Sequence, residues 1–231
     1  LGGFKTKVLG VEKIGQVHFF YNGSPVKLKT FFKEIRKNII KGLKSITSNM
    51  EKRGGGINSL ELVDMNNKID SYYQIFVKFT TIDSMGANFI NTCLEKITEI
   101  FKSFIEEKQF LDKNDEKIDF IMSILSNYTP NCLVKSSVEC KVKDLEENNE
   151  FKVDNFIRAV KISKIDTFRA VTHNKGIMNG IDSVVIATGN DFRSVEAGIH
   201  AYASRNGNYS GLSNAYIKKG LFHFELTIPI S

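Results

Sequence analysis

The sequence is poor in the residues that build metal centres and disulfide frameworks. It has three cysteines, Cys93, Cys132 and Cys140, an odd number without a C-x-x-C pair, and four scattered histidines. No zinc site, metal ligand set or disulfide scaffold is expected from these, and a reducing cytoplasm suits them better than a secretory route. Long apolar runs are missing too. Nothing approaches the roughly 20 residues that a membrane helix needs, so no membrane partner is expected. The start, "LGGFKTKVLG", shows no charged and apolar leader pattern. Because it begins at Leu1 rather than methionine, the natural N-terminus is expected to lie elsewhere. Internal repeats, low-complexity segments, an arginine-rich tail and an aromatic RNA-binding signature are all absent.

What remains is an ordinary globular composition. The 231 residues are 42% hydrophobic and 25% charged, enough for one large domain or two modest ones. A formal charge of +6 and a pI near 9.1 point to anionic partners, either nucleic acid or a phosphate-rich small molecule. The densest basic group, Lys33, Arg36, Lys37, Lys41 and Lys44, is read as a solvated lysine-rich surface, and no nucleic-acid partner is expected.

Hydrophobic periodicity gives an α+β reading with two domains. "FKTKVLGVEKIGQVHFFY" reads as two short strands. "SPVKLKTFFKEIRKNIIKGLKSI" reads as a helix with Pro25 early, Phe32, Ile35, Ile39, Ile40 and Leu43 on one face, and a break at "EKRGGG". Two strands follow in "INSLELVDM" and "SYYQIFVKFTTI". A helix places Ile90, Leu94, Ile97, Phe101 and Phe104 at helical spacing. "KIDFIMSILSN" and "CLVKSSVECKV" read as a strand pair around Asn127 and Pro130. The polar "KDLEENNEFKVD" is expected to separate this half from a helical C-terminal part. There "GIDSVVIATG" and "DFRSVEAGIHAYASRNG" carry apolar residues at helical spacing, and "LFHFELTIPIS" closes the chain as a strand.

Two stretches carry chemistry. "TTIDSMGAN" puts Asp83 and Gly86 between a strand and a helix, where exposed N–H groups and the positive end of the helix dipole suit a pyrophosphate. One glycine falls far short of G-x-G-x-x-G, so an ordinary strand-to-helix turn fits the same letters. The triple glycine of "RGGG" reads as a flexible turn only. In "THNKGIMNG", Gly176 and Gly180 lie four apart and make one bare helical face, open to another backbone or a ligand. Lys175 is expected at the head of that helix, where the dipole disfavours a cation, with Asn179 four residues on and able to bond it. A surface lysine on a capped helix fits equally. Asp191, sixteen residues after Lys175, can keep the ammonium charged and aimed, so that it stabilises an oxyanion. Arg169 offers a fork for a substrate carboxylate. Spacing alone does not bring these three together.

"FRAVTHNKGIMNGIDSVVIATGNDFRSVEAGIHAYASRNGNYSGLS" closely resembles the active-site segment of class II hydroxymethylglutaryl-CoA (HMG-CoA) reductases. "DSMGANFINT" is similar to that family's D-A-M-G-A-N cofactor motif, with Ser84 in the alanine position. "RGGG" and "ILSN" fall in the family's order, and the resemblance covers essentially the whole chain. It implies a small ferredoxin-like α/β cofactor-binding domain (5–126) inserted in a larger, mainly helical α+β substrate domain (1–4 and 127–231). It implies Lys175 as the lysine that polarises the thioester carbonyl and then the aldehyde, with Asp191 hydrogen-bonded to it and Asn179 in the same network. Arg169 and Asn127 are implied at the substrate, and Asp83, Met85, Gly86 and Asn88 at NADH or NADPH. The implied reaction is reduction of HMG-CoA to mevalonate and CoA, in a homodimer or higher assembly whose site is completed across a subunit interface.

The family also carries a catalytic glutamate in a glutamate-proline-serine motif and a C-terminal histidine, and neither motif occurs in these residues. The chain is therefore read as an internal piece, inactive alone. Near the glycine run, Thr47, Ser48 and Asn49 are neutral and Lys52 and Arg53 basic, a setting that tolerates the 2′-phosphate of NADPH. The reading set against the reductase is a basic, non-catalytic relic that binds nucleotide or nucleic acid. Intact Lys175 and Asp191 favour the reductase.

Overall fold

The computed structural model describes residues 3–111, 116–146 and 152–230. Contacts divide the chain into two units, Leu1–Val11 with Asn127–Ser231, and Glu12–Ser126. The first strand, β1 (Lys5–Val8), pairs with a strand beyond residue 132 and so belongs to the first of these. The 5–126 boundary expected for the small domain thus moves to residue 12.

The unit Glu12–Ser126 runs β2 (Glu12–Tyr21), α1 (Pro25–Gly42), α2 (Lys44–Lys52), β3 (Gly56–Asp64), β4 (Tyr72–Thr80), α3 (Ala87–Glu107) and β5 (Ile118–Ser126). Its sheet has the order β3-β4-β2-β5 with antiparallel pairs throughout. Strand alternation decides the core. Val17, Phe19 and Tyr21 on β2 and Tyr73, Ile75, Val77 and Phe79 on β4 all turn to one face and are buried. Against them pack Leu28, Phe31, Ile35 and Ile39 of α1 and Ile90, Leu94, Ile97 and Phe101 of α3, at helical spacing. Each such side chain contributes about 1.5–3 kcal/mol by leaving water. α1 opens as its letters predict: Ser24 accepts from the Lys27 N–H, and Pro25 follows it. The single helix expected up to "EKRGGG" is two helices, interrupted at the buried Leu43.

The other unit contains β6 (Leu133–Lys141), α4 (Val142–Leu145), α5 (Val153–Ile165), α6 (Thr167–Ala187), α7 (Phe192–Ala203), β7 (Ser213–Lys218) and β8 (Leu221–Pro229). Its antiparallel sheet has the order β1-β6-β8-β7. β5 and β6, expected to pair with each other, lie in different sheets; each finds its partner far away in sequence. Of the polar stretch expected as a separator, 147–151 lies outside the described residues, and the change of unit falls earlier, after Ser126. Met178, Val195, Ile199, Tyr202 and Ile228 form one core cluster; Val153, Ile157, Val160, Ala215 and Phe222 form another.

Candidate active site

α6 begins well before the glycines. Asp166 has extended backbone angles and its carboxylate accepts from the Phe168 N–H at 3.0 Å, an N-cap that starts the helix at Thr167. Lys175 is therefore the ninth residue of a 21-residue helix and not its head, and the expected conflict with the dipole does not arise.

Ala170, Asn174 and Met178, at i, i+4 and i+8, face the core. Asn174 is fully buried and satisfied: its Nδ2 donates to the Ser210 carbonyl at 3.0 Å and its Oδ1 accepts from the Leu212 N–H at 3.0 Å. His173 extends the clamp, its Nε2 lying 2.7 Å from Ser213 Oγ. Burial first, then the charges of Arg169 and Lys164, hold the His173 pKa below the usual histidine value. Lys164 donates to the Gly211 carbonyl at 2.5 Å, and burial with the Arg205 charge lowers its pKa in turn.

Lys175, one step round the helix from Asn174, is thereby turned outward. It is exposed, as is Asn179, and a Cβ added at Gly176 or Gly180 would meet nothing within 4 Å. The bare face expected from the glycine spacing exists. Apolar Phe168 and Val171 on the same helix stand 89% and 51% exposed.

Asp191 is the N-cap of α7. Its Oδ1 accepts from the N–H groups of Arg193 at 3.1 Å and Ser194 at 3.3 Å, with Arg193 Nε at 3.6 Å. Ser194, buried, donates its hydroxyl to Asn127 Oδ1 at 3.0 Å. One turn on, a Cβ at position 198 would come within 2.7 Å of the Asn127 carbonyl, so glycine there lets α7 lie against that backbone. Asn127 is bonded through Oδ1 and lies against α7 through its backbone, and among the described residues its Nδ2 has no acceptor. Asp191 and Asn127 are thus joined through Ser194. Among the described residues, Lys175 makes no hydrogen bond or ion pair with Asp191 or Asn179, and the Arg169 side chain has no hydrogen-bond partner. The Lys175–Asp191 bond that the resemblance implies, and the Lys175–Asn179 bond that the four-residue spacing allows, are not found among the hydrogen bonds of the described residues.

The second cluster lies within the unit Glu12–Ser126, between β4 and α3. Thr81 Oγ1 donates to the Ser84 carbonyl at 2.7 Å, and Ser84 returns its N–H and hydroxyl to the Thr81 carbonyl at 3.1 and 2.8 Å. Ser84, the departure from the family's alanine, closes this turn. Ile82 sits within it at φ 58°, a left-handed conformation that a β-branched residue adopts only when its surroundings impose it. Gly86 caps α3 at φ 72°, and a Cβ there would lie 2.4 Å from Thr81 Cγ2. Asp83 is exposed and pairs with Arg53 at 2.6 Å. So the "RGGG" run, read as a flexible turn, abuts this loop; a Cβ at Gly55 would come within 2.4 Å of the Thr80 carbonyl.

A family model described as hydroxymethylglutaryl-coenzyme A reductase matches residues 1–231. The chain belongs to this family. The probable 3-hydroxy-3-methylglutaryl-coenzyme A reductase of Borreliella burgdorferi is 32% identical over 230 residues, covering 97% of this chain and 48% of the relative. The reductase of Archaeoglobus fulgidus is 30% identical over 231 residues, all of this chain and 50% of the relative. The class II reductase of Streptococcus pneumoniae, solved bound to NADPH in open conformations, superposes with a TM-score of 0.83 at 31% identity, over 99% of this chain and 53% of that one. The chain spans about half the length of the curated relatives it matches.

Ser194 escaped the reading of the reductase segment, and so did the pairing of Arg53 with Asp83. Ser194 had a usable signal: it stands three residues after Asp191 at a helix start, the spacing of an N-cap and its N3 position. The Arg53–Asp83 pair joins residues 30 apart and had none. No group of three or more potential metal ligands gathers among the described residues, and no helix there is long and apolar enough to cross a membrane.

Proposed function

We propose that the complete protein reduces (S)-3-hydroxy-3-methylglutaryl-CoA to mevalonate and free CoA in the cytoplasm, using two NAD(P)H. The observation that carries this reading is the family match over every residue of the chain, with Lys175 intact on the open face of α6. Its ammonium, without a hydrogen-bond or ion-pair partner among the described residues, stabilises negative charge on the thioester oxygen as it is reduced, and again on the aldehyde oxygen. Two successive two-electron reductions convert thioester to aldehyde to alcohol, and the C–S bond breaks between them to release the thiol of CoA. Arg169 takes the substrate carboxylate. Asn127 offers the Nδ2 donor that Ser194 leaves pointing away from it, Asn179 adds a polar group on the Lys175 face, and Asp191 orients the ammonium once the site is complete.

Residues of the loop before α3 fit a dinucleotide. The first-turn N–H groups of α3 have no side-chain cap and no acidic side chain competes for them, so a pyrophosphate finds free donors at Gly86 and Asn88, with Met85 and Asp83 beside them. When bound, the dinucleotide supplies hydride. Exposed Lys52 and Arg53 favour NADPH over NADH. Of the neutral residues before the glycine run, Thr47 is buried and donates to Glu51, so only Ser48 and Asn49 remain to meet a ribose. Exposed Phe168 and Val171 support a homodimer or higher assembly, and the 231 residues alone are expected not to turn over.

The test is the complete protein with HMG-CoA and each dinucleotide. Mevalonate formation with a higher kcat/KM for NADPH is expected; absence of reduction with either dinucleotide contradicts the proposal.

A further inference from the structure

Lys13 is 6% exposed, on the helix-facing side of β2, in register with Phe79 of β4. Lysine is almost never buried without partners. Here its Nζ donates to two consecutive carbonyls of the loop before α3, Ser84 at 3.1 Å and Met85 at 3.0 Å. In a planar trans peptide the C=O of one residue and the N–H of the next point in opposite directions. Drawing the Ser84 and Met85 carbonyls inward therefore turns the Met85 and Gly86 N–H groups outward. Among the described residues neither N–H has a hydrogen-bond acceptor, and the first bond of the helix ladder runs from the Ile90 N–H to the Gly86 carbonyl. Two adjacent outward N–H groups at a helix start form a concavity suited to phosphate oxygens.

We infer that Lys13 is a positioning residue for the dinucleotide, holding the loop from beneath so that the Met85 and Gly86 amides face the pyrophosphate. The inference rests on the dinucleotide reading of this loop. Thr81 supports the same geometry through its bond to the Ser84 carbonyl, but among the described residues only Lys13 reaches both carbonyls. Its sequence context, "GVEKIGQV", marks it only as a lysine at a position where the strand's alternation calls for an apolar residue.

The experiment uses the complete protein and ADP-ribose, which carries the pyrophosphate without the reacting nicotinamide. Lys13→Met is expected to raise the ADP-ribose Kd about tenfold or more. The KM for HMG-CoA and kcat at saturating dinucleotide should stay within about twofold, and Lys13→Arg should recover most of the binding. In the unmodified protein, ADP-ribose should slow hydrogen exchange at the Met85 and Gly86 amides, a readout that stands even if Lys13→Met fails to fold. Unchanged affinity in a folded Lys13→Met protein, with or without a lower Tm, overturns the inference and leaves the dinucleotide reading standing. So does ADP-ribose binding with no protection of those two amides. A complete protein that binds neither ADP-ribose nor NAD(P)H overturns both.

Discussion

At the scale of single residues, α6 sorts its polar groups by direction. Asn174 looks inward and is consumed by structure; its immediate neighbour Lys175 is exposed and has no side-chain partner among the described residues. Removing either has opposite consequences. Asn174→Ala strands the buried Leu212 N–H and should cost about 1–3 kcal/mol in chemical denaturation. Lys175→Ala should leave stability and dinucleotide affinity unchanged while lowering kcat by about 100-fold or more. Retained turnover in Lys175→Ala would remove it from the mechanism. His173 and His18 give a pH signature, because burial lowers both pKa values below 6.5. A lowered folded-state pKa means that the unfolded chain binds the proton first. Stability is therefore complete above about pH 6.5 and declines as the pH falls through and below that value. Tm should drop between pH 7 and pH 5, and the drop should shrink in a His18→Gln/His173→Gln double variant.

Among the elements, those whose letters repeat at one period were legible. The Ile90, Leu94, Ile97 and Phe101 spacing marked α3, and the alternation of "YYQIFVKF" marked β4. The start of α6 was misplaced although its signal was present, because Gly176 and Gly180 resemble a helix boundary and outweighed the Asp166 cap nine residues before Lys175. β7, six residues long with four of them exposed, follows the polar run "SRNGNYSGL" and carries too few apolar positions to be seen. β5 and β6 look like a hairpin because they are consecutive; pairing energy from β2 and β8 overrides proximity. The loop before α3 was legible as a candidate site but not in its supports, since Arg53 and Lys13 reach it from distant parts of the chain. Gly86→Ala tests its geometry: a left-handed φ and the 2.4 Å approach to Thr81 should lower stability by at least about 1 kcal/mol and weaken dinucleotide binding. An alanine variant with unchanged Tm and affinity would show that the loop shifts without cost.

For the molecule as a whole, the resemblance carried the family. What local chemistry could not show is that, among the described residues, Lys175 and Asp191 make no hydrogen bond or ion pair with each other. Asp191 starts α7 and reaches Asn127 through Ser194; Lys175 waits on an open face with Phe168 and Val171 beside it. That much exposed apolar surface predicts that the 231 residues alone bind a hydrophobic dye strongly and show no reductase activity. Weak dye binding together with turnover would contradict an incomplete site.

The most direct measurement of the central claim is mevalonate formation from HMG-CoA by the complete protein, run beside its Lys175→Ala variant. The account predicts two NAD(P)H consumed per mevalonate by the unmodified protein and almost none by the variant at equal dinucleotide affinity. Equal rates from the two proteins, or dinucleotide and HMG-CoA binding without mevalonate, would contradict it.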